Sequence, residues 1–338
     1  MFDGSLKMSF HTLYCPSHLA SNLNKRRTQY KTRSGPAQAV LPSAVLLHTD
    51  KSSNSSESKR NPGSGLSPTS SQITSPLLSQ ANAVGIIGGV SAVSTLNFLE
   101  KLISWSLQYG EENLPFIVCN DPILNKELLS RERSSLPYLN VRNARSQLDH
   151  TSIVDNLQHK RVFLEQSGAR CIVMPCHISH AWHSELSKDC SVPFLHVGDC
   201  VAHELKEAKL KPIEAGSNLR IGVLATDATL TAGFYRDKLQ SQGFEVVLPD
   251  KDTLEHTIIP AIEALSRKDL EGARNLLRIA LQVLLVRSVN VVVLASDDMR
   301  GLLPKNDPLL KKCVDPIDAL VRSTIKWAQS TEKLHETC

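Results

Sequence analysis

Long apolar runs are missing from this sequence. None approaches the roughly 18 residues that a membrane-spanning helix needs, so we expect no membrane partner. Paired cysteine spacings are missing as well, because the eight cysteines are scattered through 338 residues. This distribution is typical of reduced thiols and argues against a disulfide framework. A strong charge is also missing from the body of the chain, which argues against a nucleic-acid partner.

Acidic residues are nearly missing from residues 1–80. This segment has nine Lys and Arg residues but only three acids, and it is rich in Ser and Thr. Such a composition cannot bury enough apolar surface to offset its chain entropy, so we expect residues 1–80 to be disordered. Ser-rich, acid-poor and basic segments are typical of organellar transit peptides. We therefore expect a chloroplast (plastid stroma) location, with a mitochondrion or a plain disordered tail as alternatives.

Beyond residue 80, short apolar runs alternate with segments of helical periodicity. This alternation indicates a doubly wound parallel sheet. Strands are predicted to begin at Val84, Pro115, Cys171, Pro193, Ile221 and Val289, helices to span 95–107, 152–165, 200–209 and 317–328, and a polar loop to span 126–148.

The pattern then repeats within the chain. Residues 221–229 align with 84–92, and 289–296 mirror 169–176. An internal repeat changes the predicted fold. We predict an α/β protein of two pseudo-symmetric doubly wound parallel-sheet lobes with the active-site crevice between them. The first lobe comprises 81–212 plus 316–330, and the second comprises 213–315.

Cys176 is the first candidate for chemistry. It directly follows Pro175, which ends an apolar strand, and open α/β sheets bind ligands at the carboxyl ends of strands. A helix opening at His177 or Ser179 would give the thiol amide donors and a positive helix end. We therefore expect its pKa to fall from about 8.5 toward neutrality, making Cys176 the most reactive thiol and a nucleophile or base. The alternative is a buried structural cysteine.

Other polar residues at predicted strand ends are candidates for ligand binding. Gly88 and Gly89 do not have the G-x-G-x-x-G spacing of a dinucleotide site, so we expect Gly89 to let a small anion approach a helix start. Helix capping is the alternative role of Ser91 and Thr229. The candidate substrate-binding residues are Gly89, Ser91, Asn120, His177, Thr226, Thr229 and Asp298, the last as a partner for a substrate ammonium or for Ser296.

A zinc site is another interpretation of this region. Cys176, His177, His180 and His183 carry zinc-ligand chemistry, but they lie within eight residues and lack a distant partner of suitable spacing. We therefore predict no metal.

Together these residues resemble the cofactor-independent aspartate/glutamate racemase family. The likeness covers 84–329 and rests on Ile-Gly-Gly-Val-Ser at 87–91, on Cys176 with His180, on Gly-Phe-Tyr at 233–235, and on 294–298 in the slot of a second family cysteine. In that family, one thiolate removes the α-proton and an opposite thiol delivers another. The resemblance implies no cofactor, a small amino acid or dicarboxylate as ligand, and a homodimer.

The positions at which this sequence departs from the family pattern are as informative as the matches. Ser296 stands where the second cysteine is expected. The sequence thus resembles a plant-type, plastid-targeted member of the family in which serine replaces this cysteine. The arginine that the family has a few residues after the Asn-x-Pro turn is also missing at the corresponding position. We expect an amino-acid racemase/epimerase-like isomerase that moves protons at Cα of aspartate or glutamate, with Cys176 and Ser296 as the catalytic pair. The alternatives are a catalytically retired small-acid binding protein and a one-base isomerase or decarboxylase that uses Cys176 alone.

Overall fold

The computed structural model describes residues 76–109, 114–132, 150–213, 216–299 and 301–336, together with the backbone of 45–48. The strands are β1 (Val45–His48), β2 (Val84–Ile87), β3 (Phe116–Cys119), β4 (Cys171–Val173), β5 (Arg220–Ala225), β6 (Glu245–Val247), β7 (Val291–Ala295) and β8 (Cys313–Val314). The helices are α1 (Ala92–Gln108), α2 (Pro122–Glu132), α3 (His150–Gln166), α4 (His183–Ser187), α5 (Val197–Glu207), α6 (Asp227–Ala232), α7 (Phe234–Ser241), α8 (Lys251–Thr253), α9 (Ile259–Ser266), α10 (Leu270–Val286) and α11 (Pro316–Glu336). Short 3-10 helices span Ile178–Trp182 and Pro308–Lys312, and a π-helical turn spans Leu254–Ile258.

The first sheet has the strand order β1-β3-β2-β4. Strand β2 pairs in parallel with β3 on one side and with β4 on the other, and β1 pairs antiparallel with the outer edge of β3. Every residue of β2, β3 and β4 is buried, as expected for parallel strands that are covered on both faces.

The second sheet has the order β6-β5-β7-β8 and is parallel throughout. In both sheets the earliest parallel strand lies in the middle, the next flanks it on one side, and the third flanks it on the other. The same order in both halves confirms the predicted internal repeat and the two-lobed parallel α/β fold. The carboxyl ends of β2, β3 and β4 form one edge that can carry functional groups, and those of β5 and β7 form the other.

Helix α11 packs against α5 and α1 and so returns to the first lobe. The Lys101 ammonium lies 2.8 Å from the Asp315 carboxylate, and the Arg322 guanidinium donates to Glu204 at 2.9 Å while lying 5.2 Å from the Trp105 ring centre. Beneath these polar contacts, one apolar cluster combines side chains from α1, α5 and α11 with side chains from both sheets. The two lobes therefore share a core.

Two predicted elements differ from the structure. The predicted polar loop begins within a helix, because α2 continues to Glu132; the Ile123 amide donates to Asp121 at its start, and Leu124 and Leu128 are fully buried. The predicted strand from Pro193 amounts to a single parallel bridge, after which α5 begins three residues earlier than predicted. The His196 ring accepts the Gly198 amide hydrogen and so caps α5, a local interaction that outweighs the apolar pattern.

Two parts of residues 1–80 belong to the described structure. The backbone of β1 pairs with β3, and Leu78 is buried while its amide donates to the Ser167 carbonyl. The rest of the segment before Pro76 lies outside the described residues. Its identity as a disordered transit peptide stays a prediction, as do the predicted lobe boundaries.

Candidate active site

Cys176 lies just beyond the carboxyl end of β4, as the strand pattern predicted. The chain passes through Pro175 and then enters the 3-10 helix Ile178–Trp182, so a helical turn does begin next to the thiol. The amide of Val90, which follows β2, donates a hydrogen bond to the Cys176 sulfur at 3.4 Å. The thiol is 2 % exposed, so it is enclosed by the ends of two neighbouring strands.

Gly89 brings these two strand ends together. A Cβ atom at Gly89 would lie 2.0 Å from Cβ and 2.5 Å from Sγ of Cys176, which is closer than non-bonded atoms can approach. A Cβ atom at the neighbouring Gly88 would likewise lie 2.4 Å from the side-chain oxygen of Asn120, at the end of β3. Glycine therefore serves close packing of the strand ends here, and the structure brings Gly89, Asn120 and Cys176 to one edge.

Burial raises the pKa of the Cys176 thiol to about 12, and the nearby Asp297 carboxylate adds to this effect. Hydrogen bonds from Ser179 and Val90 favour the thiolate but do not offset the loss of water. The predicted lowering of this pKa is therefore wrong. The amide donors at the helix start are present, but burial outweighs them.

Thr226 and Ser296 follow neighbouring strands of the second sheet. The parallel register pairs Ala225 with Ala295, which places the next residue of each strand side by side. Ser296 is 2 % exposed and Thr229 is 1 % exposed, and neither hydroxyl has a hydrogen-bond partner among the described residues. Buried hydroxyl groups without partners are costly, so this edge is suited to receive hydrogen bonds from a ligand.

His177 connects the two groups of strand ends. Its Nδ1 lies 2.8 Å from the Tyr235 hydroxyl, and its Nε2 lies 3.9 Å from the Asp297 carboxylate. Burial raises the pKa of Tyr235 well above its usual value, with Asp315 and Asp297 acting in the same direction, so this side chain remains a neutral phenol. Gly233, with a φ of 75°, ends α6 and starts α7 in the left-handed conformation, which positions Tyr235 for this contact.

Two predicted binding residues, Asp298 and Ser91, have other surroundings. Asp298 is exposed on the turn after β7, whereas its neighbour Asp297 lies beside His177. The Ser91 hydroxyl accepts the Val93 amide hydrogen at 3.1 Å, so Ser91 is the N-cap of α1. Capping does not explain Thr229, because Thr226 occupies the N-cap position of α6.

Glu132 is the residue at this site that the sequence interpretation missed. Its carboxylate accepts a hydrogen bond from the Thr226 hydroxyl, and its other oxygen is buried without a partner in the described structure. Burial raises the pKa of Glu132 to about 7; the Thr226 hydrogen bond opposes this, and Asp297 and Asp298 add to it. Its sequence signal was the four-residue spacing from Leu124 through Leu128 to Glu132, which places all three on one helical face.

Three further histidines form a buried cluster next to the site. The ring centres of His180 and His196 are 4.9 Å apart, and those of His183 and His196 are 4.7 Å apart. His180 and His183 each contact a backbone carbonyl at 2.9 Å, of Met174 and Phe194 respectively. Within the described ranges, no three His, Cys, Asp or Glu side chains are grouped so as to hold a metal ion. These histidines therefore have structural partners.

The fold and this site together define a two-lobed α/β protein with a buried thiol at the strand ends of one lobe. A sequence profile of the Asp/Glu/Hydantoin racemase family matches residues 87–324, and the chain belongs to this family. The predicted resemblance is confirmed, and membership supports an amino-acid racemase-like isomerase.

Solved structures agree with this assignment. Aspartate racemase of Picrophilus torridus is 25% identical, with a TM-score of 0.54 over 73% of this chain and 94% of that one. An aspartate racemase homologue of Pyrococcus horikoshii is 22% identical and shares the fold, with a TM-score of 0.56 over 73% of this chain and 99% of that one.

An uncharacterized protein of Pectobacterium carotovorum is 26% identical over 149 residues, which is 43% of this chain and 92% of the relative. None of the helices in the described ranges is long and apolar enough to cross a membrane.

Proposed function

We propose that this protein moves protons at the α-carbon of a small acidic amino acid, aspartate or glutamate, without pyridoxal phosphate. The observation that carries the proposal is the position of Cys176, a buried thiol at the end of β4 that is held against Gly89 and hydrogen-bonded by Val90. The match to the racemase family supports the reaction class. Similarity to an aspartate racemase supports the substrate class.

Cys176 must ionise to act as a base. The ammonium group of a bound amino acid would bring a positive charge close to the thiol, and a nearby opposite charge lowers the pKa of a group that ionises to an anion. Ser296 has a much higher intrinsic pKa, so its hydroxyl cannot take an α-proton unaided. It can donate or relay a proton, and the adjacent Asp297 is a suitable partner for this.

The substrate carboxylates would be bound by hydroxyl and amide groups. The strand-end amide of Asn120 is a suitable donor, as are the buried hydroxyls of Ser296 and Thr229, which have no partner within the described ranges. The acidic side chains do not forbid a dicarboxylate. Asp298 is exposed, and the raised pKa of Glu132, about 7, makes it partly protonated at neutral pH.

Hydrogen exchange at the α-carbon tests the proposal. The protein is incubated in deuterated water with the L- and D-forms of aspartate, glutamate and other amino acids. NMR then measures loss of the α-proton, and chiral chromatography measures inversion. We expect exchange accompanied by inversion for aspartate or glutamate, and loss of inversion in Cys176→Ala. Full retention of the α-proton in every amino acid tested would refute the proposal.

A binding protein that has lost catalysis is the second candidate. It is favoured by Ser296 in place of a thiol and by the raised pKa of Cys176, about 12. It predicts that aspartate or glutamate raises the melting temperature without any α-proton exchange. A one-base isomerase would exchange the proton of one enantiomer without inversion, and a decarboxylase would release carbon dioxide.

We also propose a plastid location, with a mitochondrion as the alternative, and a homodimer that binds no nucleic acid. The basic, Ser-rich and acid-poor composition of residues 1–80 supports the location. Import into isolated chloroplasts should shorten the chain, whereas a chain lacking residues 1–75 should not enter. Light scattering after gel filtration should give twice the monomer mass, and a monomer mass would contradict the predicted dimer.

A further inference from the structure

Glu132 extends from the first lobe to the strand ends of the second. It is the terminal residue of α2, and its carboxylate accepts the hydrogen bond of Thr226, which follows β5. Because β5 and β7 pair through Ala225 and Ala295, Thr226 lies beside Ser296. The carboxyl group of Glu132 is therefore adjacent to the strand end where the family resemblance places a second thiol.

The surroundings of this carboxyl leave it incompletely satisfied. One oxygen accepts the Thr226 hydrogen bond, while the other is buried and has no hydrogen-bond partner in the described part of the chain. At the other end of α2, Asp121 is also buried, but the Lys160 ammonium lies 2.6 Å from its carboxylate. A buried carboxyl without a full set of partners is costly, and Glu132 combines this cost with a position at Thr226, beside Ser296, so a role in ligand chemistry there is the simplest reason for it.

We propose that Glu132 is the second acid–base group of the crevice and acts with Cys176 on opposite faces of the substrate α-carbon. This inference rests on the proposed function. The Glu132 carboxylate takes the α-proton of one enantiomer, and the electron pair of the broken C–H bond is delocalised into the substrate carboxylate. The Cys176 thiol then gives its proton to the other face. A proton passed through solvent from Glu132 to Cys176 restores both groups, and the reverse reaction exchanges their roles.

The protonation states agree with this assignment. Burial raises the pKa of Glu132 to about 7 and that of Cys176 to about 12, so between these values the major form carries a carboxylate and a thiol. That form is ready for Glu132 to accept a proton and for Cys176 to donate one. A base with a pKa near the working pH is the most effective kind, and burial is the usual way to bring a glutamate there.

Exchange measured separately for each enantiomer tests the inference. The full chain and the variants Glu132→Gln and Cys176→Ala are incubated in deuterated water with L- or D-aspartate and with L- or D-glutamate. We expect Glu132→Gln to slow exchange of one enantiomer by about 10² to 10⁴-fold, and Cys176→Ala to slow exchange of the other by a similar factor. Gln keeps an acceptor for Thr226, so a packing role for Glu132 would not produce this opposite selectivity.

Two further variants sharpen the test. Glu127→Gln is the matched control, because Glu127 lies on the same helix and likewise has one buried oxygen without a partner in the described part of the chain, but its other oxygen accepts from Ser152, away from Thr226. This variant should exchange both enantiomers like the wild type. Ser296→Cys combined with Glu132→Gln should restore the lost exchange, since a thiol then stands beside the missing carboxylate.

If Glu132→Gln slows neither enantiomer, or slows both equally, the inference fails while the proposed function stands. If the wild type exchanges nothing, both fail.

A measurement that needs no substitution of Glu132 covers the case in which Glu132→Gln does not fold. The enantiomer that still exchanges in Cys176→Ala is the one assigned to Glu132. In the wild type, exchange of this enantiomer should rise with pH and level off above about pH 7, the pKa of Glu132. Asp297 and Asp298 are the charged groups that act on this carboxyl, so Asp298→Asn should shift the inflection to lower pH. A rate without an inflection between pH 5 and 9 would overturn the inference.

Discussion

Cys176 and Ser296 follow matching strands of the two sheets, but a hydroxyl is a far weaker acid than a thiol and so forms a usable base far less readily. A thiol at position 296 would give the second lobe a group beside Thr226 that ionises, and so becomes a base, far more readily than the serine hydroxyl. We expect Ser296→Cys to raise racemisation of the right amino acid by about 10²-fold, the low end of the 10² to 10⁴-fold that acid–base groups contribute. Chiral chromatography measures the rate. Cys176→Ala should abolish inversion in both backgrounds, and an unchanged Ser296→Cys rate with a substrate that binds would contradict this prediction.

The burial of Cys176 reverses the reactivity predicted from its sequence position. With 2 % exposure and a pKa raised to about 12, the thiol should react with iodoacetamide at pH 7.5 more slowly than the partly exposed Cys190. Mass spectrometry of labelled peptides over time measures the order of reaction. The difference should disappear in denaturant, where both thiols are equally accessible. Faster labelling of Cys176 in the folded protein would mean that it is an accessible thiolate.

For single residues, the sequence predicted the position of Cys176 better than its pKa. Pro175 after an apolar strand was enough to place Cys176 at a strand end. The pKa depends on how tightly Gly89 and the opposite lobe enclose the sulfur, and that is a property of tertiary packing. Glu132 was missed because its partner Thr226 is 94 residues away in the sequence.

Among the elements, most segments with a clear apolar pattern were predicted correctly, and two were not. Helices α1 and α3 and strands β2, β3, β5 and β7 agree with their patterns within a few residues. Helix α2 was assigned to a loop because only Leu124 and Leu128 mark its buried face. The predicted strand from Pro193 failed because a side-chain cap from His196 starts a helix, and apolar content alone cannot reveal a cap.

The contact between the ends of β2 and β4 leads to a prediction about packing. Gly89→Ala would place a methyl group 2.0 Å from Cβ of Cys176, so we expect a loss of about 1 to 3 kcal/mol in the free energy of unfolding. Adding Cys176→Gly should recover part of that loss, because it removes the atoms that clash. Urea unfolding of the two single variants and the double variant measures the coupling. Cys190→Gly is the control, and it should give no recovery; strictly additive effects for Gly89 and Cys176 would contradict the prediction.

For the whole molecule, the internal repeat predicted the architecture. Two apolar strand–turn–helix segments with matching register were enough to indicate two similar sheets. The shared core was harder to predict, because α11 joins α1 and α5 across a long sequence separation and helical periodicity does not identify the partner of a helix.

The buried histidines make the stability of the whole molecule depend on pH. Burial lowers the pKa of His180 and His183 below 6.5 and that of His196 to about 3, so the unfolded chain binds more protons than the folded one below about pH 6.5. Each histidine should remove up to about 1.4 kcal/mol of stability per pH unit as the pH falls. The raised pKa of Glu132 acts in the opposite direction, because its contribution to the free energy of unfolding is lost as pH rises through about 7. This single carboxyl opposes three histidines, so the histidines decide the net direction.

We therefore expect the free energy of unfolding to fall steeply from pH 6.5 to pH 5. Urea unfolding at several pH values measures the slope. His196→Asn, which can still accept the Gly198 hydrogen bond, should reduce the slope by about one half, since three histidine protons opposed by one at Glu132 leave a net of about two, of which it removes one. The variant His159→Gln, at an exposed histidine, is measured alongside as the control. A stability that does not change over this range would show that the histidines take up protons in the folded state.

The return of α11 to the first lobe has a consequence for biosynthesis. Leu320, Val321 and Ile325 of α11 belong to the same apolar cluster as Phe98 of α1 and as Val84 and Ile86 of β2. While the ribosome is still translating the second lobe, this face of the nascent first lobe has no cover and exposes the apolar side chains that α11 will later bury. The first lobe is thus translated first, but it cannot complete its folding until the second lobe and then α11 have been translated.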